Sequence, residues 1–189
     1  MSLLRSERVY TGRVINLDHD TVRFPDGSEG LLEMIRHPGA AAVVPFLDDP
    51  ASADPRVLLI HQFRHAADDW LWEVPAGTLS PGEAPERCAE RELAEEAGVE
   101  AGKLRRLTTI FTTPGFTDER IHLFLAQELT PVALSQEDDE FITVHEKPWS
   151  AVGRLIRQGK IRDAKSLCAL MYVNCFLRDS GIGYRESGA

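Results

Sequence analysis

The stretch 77–99, Gly-Thr-Leu-Ser-Pro-Gly-Glu-Ala-Pro-Glu-Arg-Cys-Ala-Glu-Arg-Glu-Leu-Ala-Glu-Glu-Ala-Gly-Val, constrains the fold more than any other part of this chain. Ala89, Leu93 and Ala97 recur at four-residue spacing, the apolar stripe of a helix that packs against something. Ser80, Pro81 and Gly82 supply turn chemistry before it, and Glu83 stands in capping-box register with Ser80. Gly98 follows at a natural helix C-terminal position. A strand-like run at 70–74 leads in, so the local order is strand, loop, helix.

The same helix carries Glu92, Glu95 and Glu96 within one turn. At about 100° per residue, Glu92 and Glu96 lie about 40° apart, with Glu95 about 60° to the other side. Acidic runs on helices are ordinarily solvated faces, and glutamate is a good helix former. Here, however, the helix is packed on its apolar stripe, and like charges on one face cost a few tenths of a kcal/mol per pair (~0.2–0.5). A hard divalent cation reverses that sign, because it seeks clustered carboxylate oxygens. The cluster therefore reads as a metal site.

Gly77, Glu83, Arg91, Glu92, Leu93, Glu95, Glu96, Gly98 and Val99 fill every defined position of the signature of the Nudix hydrolases, and the chain resembles that family. The resemblance implies an α/β fold, a Nudix-like α/β/α sandwich with a mixed sheet plus a small N-terminal antiparallel sheet, in which the box forms loop, helix and loop. It implies residues 39–189 as the Nudix domain and residues 1–38 as an N-terminal subdomain whose strands pack against a second subunit in a homodimer. It implies Mg2+ or Mn2+ as cofactor, with Glu92, Glu95, Glu96 and the backbone carbonyl of Ala76 as metal ligands, Glu95 also holding the catalytic water. Glycine at Gly77 is expected to let backbone approach ion and substrate closely. Arg91 is expected to orient carboxylates through its planar fork, and Glu83 to partner Arg91.

Beyond the box, Glu73-Val-Pro-Ala-Gly77, Pro114 within Thr112-Thr-Pro-Gly-Phe-Thr-Asp-Glu-Arg120, and Gln62-Phe-Arg-His65 are similar to the ADP-ribose pyrophosphatase branch. From that similarity, Arg64 is expected at phosphate or ribose, Glu73 near the substrate, Gly115 among the substrate-binding residues, and Glu119 on the nucleoside side. A glutamate of a loop beyond the box serves as general base in that branch; Glu140 is the first choice here and Glu137 the second. The implied activity is metal-dependent hydrolysis of the pyrophosphate bond of a nucleoside diphosphate sugar, ADP-ribose giving AMP and ribose 5-phosphate. GDP-mannose is an alternative substrate, and a non-catalytic nucleotide-sensing module an alternative role. The intact acid set argues against the last, since a binding-only module has no need of three mutually repelling glutamates. Tyr10, Phe24 and Phe46 are available to stack on a nucleobase, with none assigned, while Trp70, Trp72 and Trp149 are expected in the core or at an interface.

Composition sets bounds. A chain of 189 residues, 43% hydrophobic, can bury one good core. No apolar run approaches the roughly 18 to 20 residues of a membrane span, and the first residues lack a signal-peptide apolar region. The three cysteines are widely spaced in helical patterns, which fits reduced thiols and a cytoplasmic protein. With 30 acidic against 21 basic residues the net charge is -9, so long nucleic acid is excluded as a partner and a small polyanion needs metal beside it. Strands are predicted at 8–15, 20–23, 31–36, 40–46, 56–63, 104–111, 120–126 and 141–144, and closing helices at 150–158 and 164–178, the second apolar almost all round.

Overall fold

A computed structural model describes residues 1–135 and 141–177. The chain begins with β1 (Ser2–Thr11), β2 (Asn16–Arg23) and β3 (Glu29–Arg36), which form an antiparallel three-stranded sheet. There follow β4 (Ala40–Pro45), β5 (Arg56–Arg64), β6 (Asp69–Glu73), β7 (Ala76–Thr78) and helix α1 (Pro85–Ala97). Strands β8 (Val99–Phe111), β9 (Arg120–Pro131) and β10 (Ile142–Pro148) precede helices α2 (Trp149–Arg157) and α3 (Ala164–Phe176). One sheet is mixed, in the order β7-β4-β9-β8, with β4 and β9 parallel and the other pairs antiparallel. A further antiparallel sheet runs β10-β5-β6.

The strand β4 shows why the layers form. It is buried throughout, as a small and branched apolar run must be when both faces of a sheet are covered. Ala41 and Val43 pack on Cys88, Ala89 and Leu93 of α1, while Ala40, Ala42 and Val44 pack with Val152 of α2 and Leu170 and Val173 of α3. The period-2 alternation of one strand thus builds an α/β/α sandwich, with the predicted stripe of α1 on its inner face. No helix among the described residues is long and apolar enough to cross a membrane.

Several expected boundaries shift. The strand expected at 8–15 is broken at a hairpin, where the Gly12 N–H donates to the Ile15 carbonyl at 2.9 Å, and β1 instead reaches back to Ser2. The loop expected after the box helix is reduced to Gly98, whose left-handed φ of 66° ends α1 and delivers Val99 straight into β8. The early half of β8 carries Glu100, Gly102 and Lys103, so its strand character comes from pairing with β9 and not from local apolar content. Ser80 and Glu83 do not cap α1. They close a turn ahead of it, Glu83 N–H to Ser80 O and Ser80 N–H to Glu83 Oε2, both 2.9 Å, and the helix starts with Pro85 at its first position. In α3 one side is buried through Ser166, Ala169, Leu170 and Val173, whereas Met171 and Phe176 are exposed. Phe46 is core, stacked on Trp149 at 5.3 Å, which removes it as a base-stacking ring; Trp70, expected in the core or at an interface, is 43% exposed in this chain.

Candidate active site

A cleft of about 790 Å³ opens where β7, the C-terminal half of α1, the ends of β5 and β6, and the start of α3 converge. It brings together Arg64, Glu73, Ala76, Glu92, Glu95, Glu96 and Glu119. Residues spread over more than fifty positions of sequence are thus assembled by the sheet.

One wall is the box. Pairing of β7 with β4 lays Gly77 against α1, and a methyl group at Gly77 would sit 1.8 Å from Glu92 Oε1. The glycine is therefore required so that the Glu92 carboxylate can lie against the strand, a refinement of the expectation that it makes room for ion and substrate. Glu92 is 7% and Glu96 2% exposed, so neither behaves as a solvated surface acid. Glu96 Oε2 accepts from the Ala76 N–H at 2.8 Å, which ties the residue expected to offer its carbonyl directly to a predicted ligand. Arg91 organises the rest: Nε and Nη2 donate to the two oxygens of Glu83 at 3.0 and 3.1 Å. Its Nη1 reaches Glu92 Oε1 at 2.6 Å and Glu95 Oε2 at 2.9 Å. The paired guanidinium, helped by the Ser80 N–H, holds the Glu83 carboxyl below its ordinary range. Burial beside Glu92 pushes the Cys88 thiol up to about 12, so that cysteine is an inert packing residue.

The other wall is a bonded chain that sequence reading found only in part. Arg64 donates through Nε to Glu73 Oε1 at 2.9 Å and through Nη2 to Glu73 Oε2 at 2.8 Å, a bidentate fork. The Lys165 ammonium also bonds Glu73 Oε2, and it lies 3.0 Å from Asp163 Oδ2. Asp163 caps α3 by accepting from the Ser166 N–H at 2.9 Å, and Ser166 Oγ accepts from the Val74 N–H at 2.9 Å. Burial raises the Glu73 carboxyl, but the two cations outweigh it and hold the group below its ordinary range. The cap pattern Asp163-x-x-Ser166 was readable in the sequence; that it aims Lys165 into the cleft was not.

Glu119 lines the cleft and accepts from Thr112 Oγ1 at 2.8 Å. Its loop is tied to the N-terminal sheet, since Arg36 Nη1 donates to Asp118 Oδ2 at 3.3 Å and the Ile35 N–H to the Phe116 carbonyl at 2.8 Å. Gly115 lies on that loop, exposed, and is not brought into the cleft of this chain. Glu140, and Glu137 with it, lies outside the described residues.

The box suits a divalent ion by its own chemistry. Its donors are hard carboxylate oxygens, four of them sharing the single Arg91, so cation charge is in deficit. Among the described residues no group of three or more acidic, His or Cys side chains is arranged to hold a metal ion by itself. Mg2+ requires none, because it keeps waters and takes substrate phosphates beside one or two carboxylates.

An acidic wall facing an arginine–lysine wall across an open cleft on an α/β/α frame suits a phosphorylated substrate. The chain belongs to the NUDIX domain family, whose domain matches residues 36–170. It is 37% identical, over 90% of both chains, to the ADP-ribose pyrophosphatase of Bacillus subtilis (strain 168). It is 34% identical, again over 90% of both, to the methanol dehydrogenase activator of Bacillus methanolicus. A crystal structure described as an ADP compounds hydrolase superposes with a TM-score of 0.78 at 23% identity, covering 92% of this chain and 91% of that one, which shows the shared fold.

Proposed function

We propose that the protein is a Nudix pyrophosphohydrolase that cleaves the pyrophosphate bond of a nucleoside diphosphate sugar, with ADP-ribose giving AMP and ribose 5-phosphate. The observation that carries this reading is the burial of Glu92 and Glu96 in the same cleft as the Arg64 fork. Buried carboxylates facing an arginine have a use where metal and a dianionic linker meet between them.

When bound, Mg2+ or Mn2+ neutralises the diphosphate and acidifies the attacking water. Glu92, Glu96, Glu95 and the Ala76 carbonyl would hold the ions; Arg91 keeps Glu92 and Glu95 in register, and the Ala76 N–H holds Glu96. Arg64 binds a phosphate oxygen, with Glu73 setting the plane of its guanidinium, and Glu119 faces the nucleoside side. Glu140 takes the proton of the water as the P–O–P bond breaks, one phosphate leaving on each product. Residues 1–38 are proposed as a dimer-forming subdomain of a cytoplasmic homodimer: β1 is exposed along its whole length, with Leu3, Val9 and Tyr10 among its open apolar side chains.

The test is a substrate panel of ADP-ribose, GDP-mannose, nucleoside triphosphates, coenzyme A and NADH with Mg2+ or Mn2+. ADP-ribose should have the highest kcat/KM, and EDTA should silence turnover reversibly. Preference for a triphosphate, or turnover that survives EDTA, would refute the reading.

A further inference from the structure

We infer that Lys165 is a positioning residue for substrate recognition, acting on Arg64 through Glu73; this rests on the pyrophosphohydrolase reading above. Glu73 is 1% exposed, so its carboxylate is set by its partners and not by water. Arg64 spends Nε and Nη2 on that carboxylate. Its remaining nitrogen, Nη1, makes no hydrogen bond to the described residues, and Arg64 lines the cleft. The direction of Nη1 is therefore fixed by the plane of Glu73.

Glu73 in turn is pinned at Oε2 by two donors, Arg64 Nη2 and Lys165 Nζ. The Lys165 side chain is 11% exposed and is itself held by Asp163, the cap of α3. Rigid anchorage therefore runs from the start of a helix through Lys165 and Glu73 to the guanidinium. Arg64, Lys165, Glu73 and Asp163 balance in charge, so the wall is formally neutral. It offers a directed donor without the field of two unpaired cations, and that suits an oriented phosphate oxygen better than non-specific attraction. With Lys165 removed, Glu73 keeps the bidentate Arg64, so the fold persists. What is lost is the second restraint on its plane.

The test compares wild type, Lys165→Met, Arg64→Ala and the double variant with the nucleotide sugar that wild type hydrolyses best. Lys165→Met should raise KM about tenfold, the scale of one charge-assisted bond, with kcat within about twofold. The Mg2+ concentration giving half-maximal rate should not move, and Lys165→Arg should recover part of the KM. In the Arg64→Ala background, removing Lys165 should cost nothing further, which a direct phosphate contact or a general loss of structure would not produce. Should Lys165→Met fail to fold by circular dichroism, Lys165→Gln takes its place in the same cycle. An unchanged KM, or full additivity in the double variant, overturns the inference while leaving the proposed function standing. A wild type that hydrolyses no nucleotide sugar overturns both.

Discussion

Replacing Gly77 by alanine isolates the site from the fold. The new methyl carbon would lie 1.8 Å from Glu92 Oε1, 2.0 Å from Cδ and 2.4 Å from Oε2. Ordinary contact begins at 3.4 Å, so the near oxygen must retreat by the difference from 1.8 Å, roughly 1.6 Å. The carboxylate is the end of a flexible side chain, and it yields before the β7 backbone does. Its retreat breaks the 2.6 Å bond from Arg91 Nη1, a charge-assisted contact worth about 1.5–3 kcal/mol. At about 2–4 °C per kcal/mol for a chain of this size, Tm should fall by roughly 3–12 °C. Function should suffer more, because a ligand misplaced by about 1 Å can cost on the order of 100-fold. Turnover with Mg2+, calorimetric titration with Mn2+ and a thermal melt measure the three quantities. Full activity with unchanged Mn2+ affinity in Gly77→Ala would refute the argument that this glycine exists to seat the Glu92 carboxylate.

Glu96→Gln should nearly abolish hydrolysis, about 100-fold or more, while the circular dichroism spectrum is retained, since an amide oxygen can still accept from the Ala76 N–H; substantial residual turnover would remove Glu96 from the ligand set. Glu140→Gln should lower kcat about 100-fold with Mn2+ affinity unchanged, and an unaffected rate would move the general base elsewhere. The Glu73 carboxyl is held below its ordinary value when folded, so its contribution is present above the unfolded carboxylate range and is lost as pH falls through the lower folded value. In urea melts between pH 7 and pH 3, Glu73→Gln should therefore show a smaller acid-induced loss of stability than wild type; identical slopes would contradict the assignment.

The box was legible because its information is local. Helical period, the positions of Glu92, Glu95 and Glu96, the glycine at the C-cap and the Arg91 spacing all lie within a few turns, where sequence distance and spatial distance agree. The Arg91–Glu83 pairing was expected from the family resemblance, and the structure makes it within the same short range. The second wall was legible only at Arg64 and Glu73, which pair across adjacent strands. Lys165 meets Glu73 from 92 positions away, and no periodicity reports that. The start of β8 was missed for a related reason: Glu100, Gly102 and Lys103 are poor strand formers that hold their conformation through β9.

By itself the sequence determined that one helix packs on an apolar stripe while presenting clustered carboxylates, because side-chain direction on a helix follows from residue spacing alone. The tertiary structure decided that Glu92 and Glu96 are buried, that Gly77 must lack a side chain, and that Arg64, Glu73 and Lys165 close the opposite wall. Burial and long-range ion pairing depend on which elements the sheet brings side by side, and the packing of β4 between α1 and α3 sets that arrangement.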